Sequence, residues 1–443
     1  MMDMIITPSK LSGTMDAISS KSFMHRLLIC AALSGKETVI HLTCLSEDIH
    51  ATIRCLEAMG CSVKVDRKEL LVKPIPVSDA ETKAKAGTSR VVLDCGESGS
   101  TARFLLPLAA HFFDEFTLTG TGKLPRRPFA PLCETLTNAG CSFESDQLPM
   151  NGRGGMRPGD FHISGDISSQ FISGLLFVLP LLGGDSRIVV TTPVESSGYV
   201  DMTVEVIAMF GIAVEKGKTC PETGTYELHI NGNRRYDSPG VVTAEGDWSN
   251  AAFFLCMGAI GETGNAISMR GLSPRSEQGD KGIIEILRCF GAKTKVTKTV
   301  ADGTLVTVGG GTLKGIEIDA AQIPDLVPTL AAVASVSAGE TRIYNARRIR
   351  FKESDRIQTT YNMLSGLGAD IRIIDDGFLI RGKKKLHGGV VDGAGDHRIV
   401  MAAATAACAC EGPVVIKGYE AINKSYPSFF GDFRSLGGIA NVI

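Results

Sequence analysis

Residues 59–65 read MGCSVKV, and this short stretch decides the fold because its glycine separates a helix-like segment from a strand-like one. Glycine is the usual helix stop, since only glycine adopts the left-handed backbone geometry without a side-chain clash. The junction recurs in AGCSF, FGIAVE, FGAKTKV, LGADIRI and LGGIANVI, so that the six glycines are Gly60, Gly140, Gly211, Gly291, Gly368 and Gly437. Their spacings are 80, 71, 80, 77 and 69 residues. A period of that length predicts one supersecondary unit copied six times.

Each period contains short β-branched runs and longer apolar runs with helical periodicity. RVVLDCG, SRIVVTT and PVVIKG predict strands, whereas TARFLLPLAAHFF and SNAAFFLCMGAIG predict helices. A period has room for about two helices and several strands of ordinary length. We therefore predict an α/β (α+β) protein in which each copy has two strands joined by helices, plus a hairpin.

The segment NGNRRYDSPGVVTAEGD, residues 231–247, is rich in turn formers and follows the third copy. It predicts a domain boundary there, and 443 residues exceed what one compact core usually holds. We expect residues 20–239 to form an inserted domain of three copies. Residues 1–19 and 240–443 would form a discontinuous domain of three more, so the chain would cross between domains twice.

Composition indicates an ordinary globular protein of the cytoplasm. Hydrophobic residues make up 44% and charged residues 21%, and the net charge of −2 provides no global field for nucleic acid or an anionic membrane. The N-terminus lacks the pattern of a signal peptide, and the most apolar stretch, FISGLLFVLPLLGG, is too short to cross a bilayer. Twelve cysteines without a CxxC pair predict buried free thiols. We expect a cytoplasmic monomer without nucleic-acid or membrane partners.

One predicted helix starts behind a glycine loop, in DCGESGSTARFL. Gly96 and Gly99 are expected to form the loop, with Ser100 or Thr101 as the cap and Arg103 in the first turn. A glycine loop that leads into a helix exposes backbone N–H groups and suits a phosphate or carboxylate. The motif is neither the P-loop nor the dinucleotide fingerprint, and a plain strand–turn–helix explains it nearly as well.

Other helix starts carry hydroxyl residues, which commonly serve as N-caps. Ser168 opens the helix of GDISSQFISG, and Ser196 and Tyr199 precede the helix of ESSGYVDMTVEVIAMFG. The helix of EGDWSNAAFFL is expected to be capped by Asp247 or Ser249, and we interpret that start as structural because it carries no basic residue.

Two later motifs put charged residues at helix starts. In RIRFKESDRIQ, Lys352 and Arg356 are expected to share one helical face. In GAGDHRIVMAAATAA, Asp396, His397 and Arg398 stand ahead of an apolar helix. An arginine at a helix N-terminus opposes the helix dipole unless an anion lies there. A metal site is not predicted, because the histidine and aspartate lack further ligands at suitable spacing.

These helix starts together predict an anion site in a nearly neutral protein. A helix N-terminus carries roughly half a positive charge. The cations at the starts are Lys21, Arg26, Arg103, Lys352, Arg356 and Arg398. If they converge, they could hold two polyanions in a gap between the two domains, and water excluded on closing would strengthen the contacts.

Ten motifs in order resemble the 5-enolpyruvylshikimate-3-phosphate (EPSP) synthase family over essentially the whole chain. They are KSFMHR, GESGSTAR, RRPF, GDISSQF, SSGYVDMT, EGDWSNA, IPD, FKESDR, GDHR and NKSYP. The resemblance implies two domains of three βαβαββ copies each, with the active site in the cleft between them. It also implies transfer of the enolpyruvyl group of phosphoenolpyruvate to the 5-hydroxyl of shikimate 3-phosphate, with release of phosphate and without a metal or organic cofactor.

The resemblance also implies the site residues. Those matching shikimate 3-phosphate contacts, attributed mainly to residues 20–239, are Lys21, Ser22, Arg26, Ser168, Ser169, Gln170, Ser196, Tyr199, Asp325 and Lys352. Those matching the pocket for phosphoenolpyruvate, a substrate that the resemblance assigns to the side of the discontinuous domain, are Lys21, Gly99, Arg127 and Gln170 from residues 20–239 and Arg356, Arg398 and Lys424 from residues 240–443. The matches to catalytic groups are Lys21, Asp325 and Glu353, and the supporting residues are Arg103, Asp396 and His397. Paired carboxylates and a lysine suit a reaction in which a hydroxyl loses a proton and an enol methylene gains one.

The chain departs from the family pattern at three positions. Glu97 stands where the glycine loop commonly has Asn, and Ser100 stands where it commonly has Thr. A carboxylate near an anionic ligand weakens binding unless it points away. Arg348 falls where many relatives carry another polar residue, and no role is assigned to it.

Two alternatives of function are retained. The sister transferase that uses UDP-N-acetylglucosamine has a reactive cysteine in a glycine-rich loop, but GKLPRRPF lacks one here and Cys133 comes later. The other alternative is RNA 3′-end processing or a phosphate-binding module. Neutral charge and few aromatic residues argue against RNA, and a binding module needs no Asp325–Glu353 pair.

Overall fold

The computed structural model describes residues 2–76, 90–262, 264–299 and 303–443, and within these ranges the chain forms twenty-four strands and twelve α-helices. The strands are β1 Asp3–Thr7, β2 Gly13–Asp16, β3 Thr38–His41, β4 Ser62–Asp66, β5 Glu69–Lys73, β6 Arg90–Asp94, β7 Glu115–Thr119, β8 Ser142–Phe143, β9 Met150–Arg153, β10 Asp160–Ile163, β11 Ser186–Val190, β12 Val214–Lys216, β13 Glu227–Ile230, β14 Val241–Thr243, β15 Ala266–Arg270, β16 Lys293–Thr299, β17 Gly303–Gly309, β18 Glu317–Asp319, β19 Glu340–Tyr344, β20 Asp370–Ile374, β21 Gly377–Arg381, β22 Gly389–Asp392, β23 Val414–Lys417 and β24 Ile439–Val442.

The α-helices are α1 Lys21–Leu33, α2 Glu47–Ala58, α3 Gly99–Phe112, α4 Ala130–Asn138, α5 Ser169–Val178, α6 Gly198–Met209, α7 Trp248–Ile260, α8 Ile283–Phe290, α9 Val327–Ala334, α10 Arg356–Gly366, α11 His397–Ala407 and α12 Phe429–Ser435. Short 3₁₀ helices lie at Leu124–Arg126, Leu179–Leu181, Gly279–Gly282, Pro324–Leu326, Arg347–Phe351 and Tyr419–Lys424. The segments predicted as strands and helices from RVVLDCG, SRIVVTT, PVVIKG, TARFLLPLAAHFF and SNAAFFLCMGAIG are confirmed as β6, β11, β23, α3 and α7.

The six glycine junctions are confirmed as left-handed helix stops. Each glycine ends the second helix of a copy and leads into the next strand, and the φ angles are 100°, 108°, 80°, 104°, 87° and 95° for Gly60, Gly140, Gly211, Gly291, Gly368 and Gly437. Residues with a Cβ rarely adopt this region of φ, so the junctions account for the glycine at this point of every copy.

The strands of the described residues form six four-stranded sheets that share one pairing pattern, as the repeat predicts. In the sheet β6-β7-β9-β8, β6 runs parallel to β7, β7 pairs antiparallel with β9, and β9 pairs antiparallel with β8. The order along the chain is therefore strand, helix, strand, helix and a hairpin. The remaining sheets repeat this pairing pattern as β14-β3-β5-β4, β10-β11-β13-β12, β2-β15-β17-β16, β18-β19-β21-β20 and β22-β23-β1-β24.

The chain divides into two compact units, each built from three of these sheets. The inserted unit is Lys21–Ala244, and the discontinuous unit combines Met1–Ser20 with Glu245–Ile443. The unit boundary lies after residue 244, whereas the sequence pattern placed it after residue 239. The reason is that β14 pairs in parallel with β3, with Val241 opposite Val39. A turn-rich segment marks a loop, but composition does not reveal which sheet the following strand will join.

The first helix of each copy is buried and the second is amphipathic. In α7, every residue from Trp248 to Ala259 is buried, whereas α8 buries one face through Ile283, Ile284, Leu287 and Phe290. An all-apolar helix belongs inside a core, and an apolar stripe belongs on its border. Consequently α1, α3 and α5 lie inside the inserted unit, and α7, α9 and α11 lie inside the discontinuous unit. The N-terminal ends of these buried helices carry most of the polar motifs.

The cysteines are free thiols, as expected, but burial is not uniform. Eight are buried, three are partly exposed, and Cys289 is exposed, so the prediction of buried thiols is wrong at that position. Cys289 lies on the outer face of α8, where the helix pattern turns to solvent. Among the residues that the structure describes, no helix combines the length and the apolar character needed to cross a membrane.

Candidate active site

In the inserted unit, Lys21 is the first residue of α1 and forms an ion pair with Asp48. The Lys21 Nζ lies 2.6 Å from Asp48 Oδ2, and the two side chains are only 17% and 11% exposed. Asp48 is in the first turn of α2, where an acidic residue is ordinarily explained by the helix dipole. Sequence reasoning therefore missed its contact with a predicted catalytic lysine.

Arg26 ties three helices of the inserted unit together. Its guanidinium donates hydrogen bonds to Thr203 Oγ1 at 2.8 Å, to the Ser22 and Tyr199 carbonyls at 2.7 Å each, and to Ser173 Oγ at 3.3 Å. Burial lowers the pKa of Arg26 to about 10, so the side chain remains charged at neutral pH. Because a guanidinium has five N–H donors, these four bonds leave at most one for a ligand. Its principal effect is to fix the N-terminal part of α1.

The glycine loop differs in detail from its prediction. Ser98 is the N-cap of α3, and its Oγ accepts from the Thr101 N–H at 3.2 Å, so the expected caps Ser100 and Thr101 lie inside the first turn. Gly99 is the first residue of the helix rather than part of the loop. A Cβ at Gly99 would lie 2.6 Å from Arg127 Nη1, so the guanidinium packs directly against the glycine. The two residues predicted for one anion pocket are therefore in contact.

Glu97 packs toward Gly122, since a Cβ at Gly122 would meet the Glu97 carboxylate. Gly122 has a φ of 59°, which also favours glycine there. The Glu97 carboxylate therefore packs against Gly122, which is not one of the two residues of the Gly99–Arg127 contact.

Gln170 is held between α3 and α5. Arg103 donates to Gln170 Oε1 at 2.8 Å, and Gln170 Nε2 donates to Ser100 Oγ at 2.9 Å. The Arg103 guanidinium itself lies over the Phe129 and Phe171 rings, at 5.4 and 5.3 Å from their centroids. These contacts fix which end of the Gln170 amide is the acceptor and which is the donor.

Ser168 is confirmed as the N-cap of α5, since its Oγ accepts from the Gln170 N–H at 3.3 Å, and Ser169 begins the helix. Ser196 has a φ of 56°, a left-handed conformation uncommon for serine. Tyr199 lies in the first turn of α6, so the expectation that it precedes the helix is wrong. The helix begins early because the SSG turn already has helical geometry at Ser197.

In the discontinuous unit, Arg356 is the centre of a carboxylate cluster. Its Nε and Nη2 donate to Asp396 at 2.8 and 3.1 Å, its Nη1 donates to Asp325 Oδ1 at 2.7 Å, and its Nη2 donates to Glu353 Oε2 at 2.6 Å. The Arg356 side chain is 1% exposed and Asp396 is 0% exposed. We call these four residues the carboxylate cluster. It leaves Arg356 at most one N–H for a ligand.

The charges around Asp325 determine its ionisation. Burial opposes the charged form, but Arg398, Lys352 and Arg356 outweigh it and hold the pKa of Asp325 well below its usual range. The Lys352 Nζ lies 3.5 Å from Asp325 Oδ1. Burial is also the main reason why the pKa of Lys352 falls to about 8, although Asp325 opposes that shift. Asp325 is therefore an ionised carboxylate that lies beside an amine, that of Lys352, with a pKa of about 8.

Lys352 and Arg356 do not share a helical face, contrary to the sequence pattern. Asp355 caps α10, accepting from the Ile357 and Gln358 N–H groups at 3.1 and 3.2 Å, so the helix begins only at Arg356. Lys352 is extended, just after the 3₁₀ helix Arg347–Phe351. The two cations meet through Asp325 instead.

Asp396 caps α11, which begins at His397, so His397 and Arg398 lie in the helix rather than ahead of it. Arg398 donates through Nη1 to the Asp325 carbonyl at 3.1 Å and through Nη2 to Ser249 Oγ at 3.0 Å. Sequence reasoning assigned Ser249 a structural role and missed this contact. The sequence contains no sign of this contact, because Asp247 is the N-cap of α7 and a serine two residues after an N-cap is common in helices.

Lys424 ends the 3₁₀ helix Tyr419–Lys424, and its Nζ donates to the Gly395 carbonyl at 2.9 Å, next to the cap of α11. Arg348 donates to the Ala321 carbonyl at 3.2 Å and contributes to lowering the pKa of Lys352. Within the described ranges, no group of three or more His, Cys, Asp or Glu side chains is arranged to hold a metal ion.

The comparisons agree on one family. The model of EPSP synthase (3-phosphoshikimate 1-carboxyvinyltransferase) matches residues 5–433. A 3-phosphoshikimate 1-carboxyvinyltransferase of Clostridium perfringens is 41% identical, over 99% of this chain and 99% of the relative. One of Clostridioides difficile is 39% identical, over 98% and 97%.

Solved structures show the same architecture. EPSP synthase from Acinetobacter baumannii has a TM-score of 0.81 and 25% identity, with 100% of both chains covered. The enolpyruvyl transferase NikO from Streptomyces tendae has a TM-score of 0.77 at 16% identity, over 100% of this chain and 99% of the other, which speaks for the fold alone. The predicted α/β repeat fold is thereby confirmed.

Proposed function

This chain belongs to the EPSP synthase family, and from that premise we propose that it transfers the enolpyruvyl group of phosphoenolpyruvate to the 5-hydroxyl of shikimate 3-phosphate. Inorganic phosphate is the second product. The chain is thus a transferase of the shikimate pathway, which supplies aromatic amino acids.

The observation that carries the proposal is the convergence of three distant motifs on one guanidinium. Asp325 comes from IPD, Glu353 from FKESDR and Asp396 from GDHR, and each accepts a hydrogen bond from Arg356. Buried carboxylates cost desolvation free energy unless they are paired, and strongly shifted pKa values concentrate at functional sites. Such a cluster provides carboxylates for an addition–elimination reaction with proton transfer.

The reaction has two halves. In the addition, the 5-hydroxyl oxygen bonds to C2 of phosphoenolpyruvate, the hydroxyl proton leaves and C3 gains a proton. In the elimination, C3 loses a proton and the bond between C2 and the phosphate oxygen breaks, which restores the enol and releases phosphate. We assign the proton transfers to Asp325, Glu353 and Lys21.

Asp325 suits the role of hydroxyl base only once substrates are bound. An ionised carboxylate is an acceptor at neutral pH, but three neighbouring cations make it weakly basic. Anionic substrates that engage Arg398 and Lys352 reduce the positive potential at Asp325 and thereby raise its pKa. Binding of the substrates therefore makes Asp325 a stronger base.

The remaining site residues bind the two anions. We propose that shikimate 3-phosphate binds Lys21, Ser22, Arg26, Ser168, Ser169, Gln170, Ser196, Tyr199, Asp325 and Lys352. Phosphoenolpyruvate would bind Lys21, Gly99, Arg127, Gln170, Arg356, Arg398 and Lys424. Arg103, Asp396 and His397 support these groups. Since Arg26 and Arg356 are nearly saturated by protein acceptors, they contribute mainly positive potential and orientation.

The partners we propose are these two small molecules alone. Side chains provide both the proton transfers and the charge neutralisation, so the chemistry requires neither a metal nor an organic cofactor. We also propose that the protein acts as a monomer in the cytoplasm, without nucleic-acid or membrane partners.

The sister transferase is disfavoured by the state of Cys133. This thiol is buried in α4, and burial raises its pKa to about 12, whereas a reactive cysteine needs a lowered pKa and exposure. The net charge of −2 does not favour the RNA-processing alternative.

The test is phosphate release by the purified protein with both substrates. We expect release that depends on phosphoenolpyruvate and shikimate 3-phosphate together, with formation of the enolpyruvyl ether in equal amount. UDP-N-acetylglucosamine in place of shikimate 3-phosphate should give none. Release with UDP-N-acetylglucosamine alone as the acceptor, or no release with shikimate 3-phosphate, would overturn the proposal.

A further inference from the structure

The guanidinium of Arg398 is held from two sides by residues of different elements. Its Nη1 donates to the Asp325 carbonyl at 3.1 Å, and its Nη2 donates to Ser249 Oγ at 3.0 Å. The Arg398 side chain is 8% exposed. Because the guanidinium is a rigid planar fork, acceptors at both Nη atoms fix its plane as well as its position.

The Ser249 hydroxyl can accept from Arg398 because its own proton is directed elsewhere. Ser249 Oγ donates to Asp280 Oδ2, on the 3₁₀ helix Gly279–Gly282. A serine hydroxyl has one proton and two lone pairs, so a bond donated to Asp280 turns a lone pair toward Arg398. The three side chains form a series of donated hydrogen bonds that runs from the guanidinium of Arg398 to the hydroxyl of Ser249 to the carboxylate of Asp280.

Asp280 is 1% exposed, and burial together with Asp325 raises its pKa to about 6, against the effect of Arg398. Asp247, the cap of α7, is the other carboxylate that acts on it. At neutral pH Asp280 is thus ionised and remains an acceptor for Ser249. Polarisation along such a chain strengthens each hydrogen bond in it.

We propose that Ser249 and Asp280 are positioning residues that set the orientation of Arg398 for the anionic group of phosphoenolpyruvate. The proposal rests on the proposed function, because it assigns Arg398 to that substrate. Neither residue touches substrate in this account, and both act through the guanidinium.

A comparison within the same unit shows why Ser249 is more than a packed serine. Ser337 is also fully buried, but its hydroxyl donates to the Val333 carbonyl at 2.8 Å, in its own turn. Ser249 instead connects a buried carboxylate to an arginine on another helix. Desolvating the Asp280 carboxylate is costly, and its hydrogen bond to Ser249 offsets part of that cost.

The first test is the variant Ser249→Ala. Its control is Ser337→Ala, which also removes a buried hydroxyl group, but one that is not bonded to Arg398. For Ser249→Ala we expect the KM for phosphoenolpyruvate to rise about 10-fold, the scale of a hydrogen bond to a charged group. The KM for shikimate 3-phosphate and the kcat should stay within about 3-fold of the parent. For Ser337→Ala, both KM values should equal those of the parent.

Asp280→Asn tests the carboxylate end of the hydrogen-bonded series. It keeps the shape of the side chain, so it also provides a test if Ser249→Ala folds poorly. We expect the KM for phosphoenolpyruvate to rise about 3-fold, since the amide oxygen can still accept but carries no charge. The variant Ser249→Ala/Asp280→Asn should behave as Ser249→Ala alone, because Asp280 acts through the serine. In an Arg398→Lys background, Ser249→Ala should add no more than about 2-fold, since lysine has no fork to orient.

The outcomes separate this proposal from the proposed function. A parent protein without transferase activity refutes the function itself. If the parent is active, then equal rises in both KM values, or no rise for either Ser249→Ala or Asp280→Asn, would overturn the positioning role. So would additive effects of the two substitutions, because independent contributions contradict a chain that passes through Ser249.

Discussion

Two buried arginines, one in each unit, show how the same repeated fold supports different chemistry. Arg356 in the discontinuous unit donates to three carboxylates, and the charges of Asp396, Glu353 and Asp325 raise its pKa despite burial. Arg26 in the inserted unit donates to hydroxyls and carbonyls only, and burial lowers its pKa to about 10. Both side chains are almost inaccessible, with 1% and 2% of their surface exposed.

The difference teaches that acceptor type, rather than burial, distinguishes the two clusters. Neutral acceptors hold a guanidinium in place without adding a group that can carry a proton. Carboxylates add such groups, and Arg398 and Lys352 lower the pKa of one of them, Asp325, so a bound anion that neutralised these cations would raise that pKa. We therefore assign proton transfer mainly to the carboxylate cluster and recognition mainly to the inserted unit.

Glu353→Gln should give a large loss if this division is right. We expect kcat to fall roughly 10²–10⁴-fold, the usual range for a lost acid–base group, with smaller changes in either KM. Glu340→Gln is the matched control, because Glu340 is an exposed partner of Arg381 at 3.7 Å on β19. Steady-state kinetics of both variants would check this. A fall of less than a few-fold for Glu353→Gln would break the comparison.

Gly99→Ala tests the proposed phosphoenolpyruvate contacts of the inserted unit. It adds a methyl group beside Arg127 and changes no charge. The added methyl group would meet the Arg127 guanidinium at 2.6 Å, so the arginine must move. Overpacking of this kind costs about 1–3 kcal/mol, and if the displaced guanidinium loses that much of its interaction with phosphoenolpyruvate, the KM for this substrate rises roughly 5–150-fold. Gly35→Ala is the control, since a Cβ at Gly35 meets nothing within 4 Å. An unchanged KM would show that Arg127 does not serve that substrate.

Lys352→Arg tests whether the amine that titrates near neutral pH limits activity. The pKa of Lys352 is about 8, so the amine is half charged at that pH and loses its charge as pH rises further. We expect kcat/KM of the parent to decline above about pH 8 and that decline to be absent in Lys352→Arg, because arginine stays charged. Lys383→Arg, at an exposed position, should keep the parent profile. The same decline in Lys352→Arg would contradict the assignment.

The smallest effects concern the repeat itself. Gly211 and Gly291 occupy the same junction in the two units, with φ of 80° and 104°. Alanine at Gly211 should cost about 1–2 kcal/mol of unfolding free energy through backbone strain alone. Alanine at Gly291 should cost more, because its Cβ would also meet the Thr312 carbonyl. Denaturant unfolding of both variants measures the difference, and equal losses would show that the carbonyl can move.

The sequence predicted the repeat well because each junction depends on local backbone geometry. A glycine that takes a positive φ directly after a helical segment ends that helix through local geometry, so Gly60 and its five equivalents can each be predicted from a short stretch of sequence. The placement of β14 could not be predicted from the sequence, because it depends on pairing with β3, about two hundred residues earlier.

The site shows the same limit. Residues such as Arg356 and Asp325 were identified through family motifs, whereas Asp48, Ser249 and Asp280 were missed. In the sequence alone, each of these three residues is typical of the first turn of a helix or of a loop. Only the packing of helix starts brings them against a lysine or an arginine.

The most direct test of the account is a single-turnover comparison of the parent and Asp325→Asn, with enzyme in excess over phosphoenolpyruvate and with saturating shikimate 3-phosphate. We expect equal amounts of phosphate and enolpyruvyl product from the parent. We expect the same products from Asp325→Asn at a rate roughly 10²–10⁴-fold lower, with substrate binding nearly unchanged. A variant that turns over within a few-fold of the parent would contradict the role of the carboxylate cluster, and phosphate without enolpyruvyl product from the parent would contradict the transfer itself.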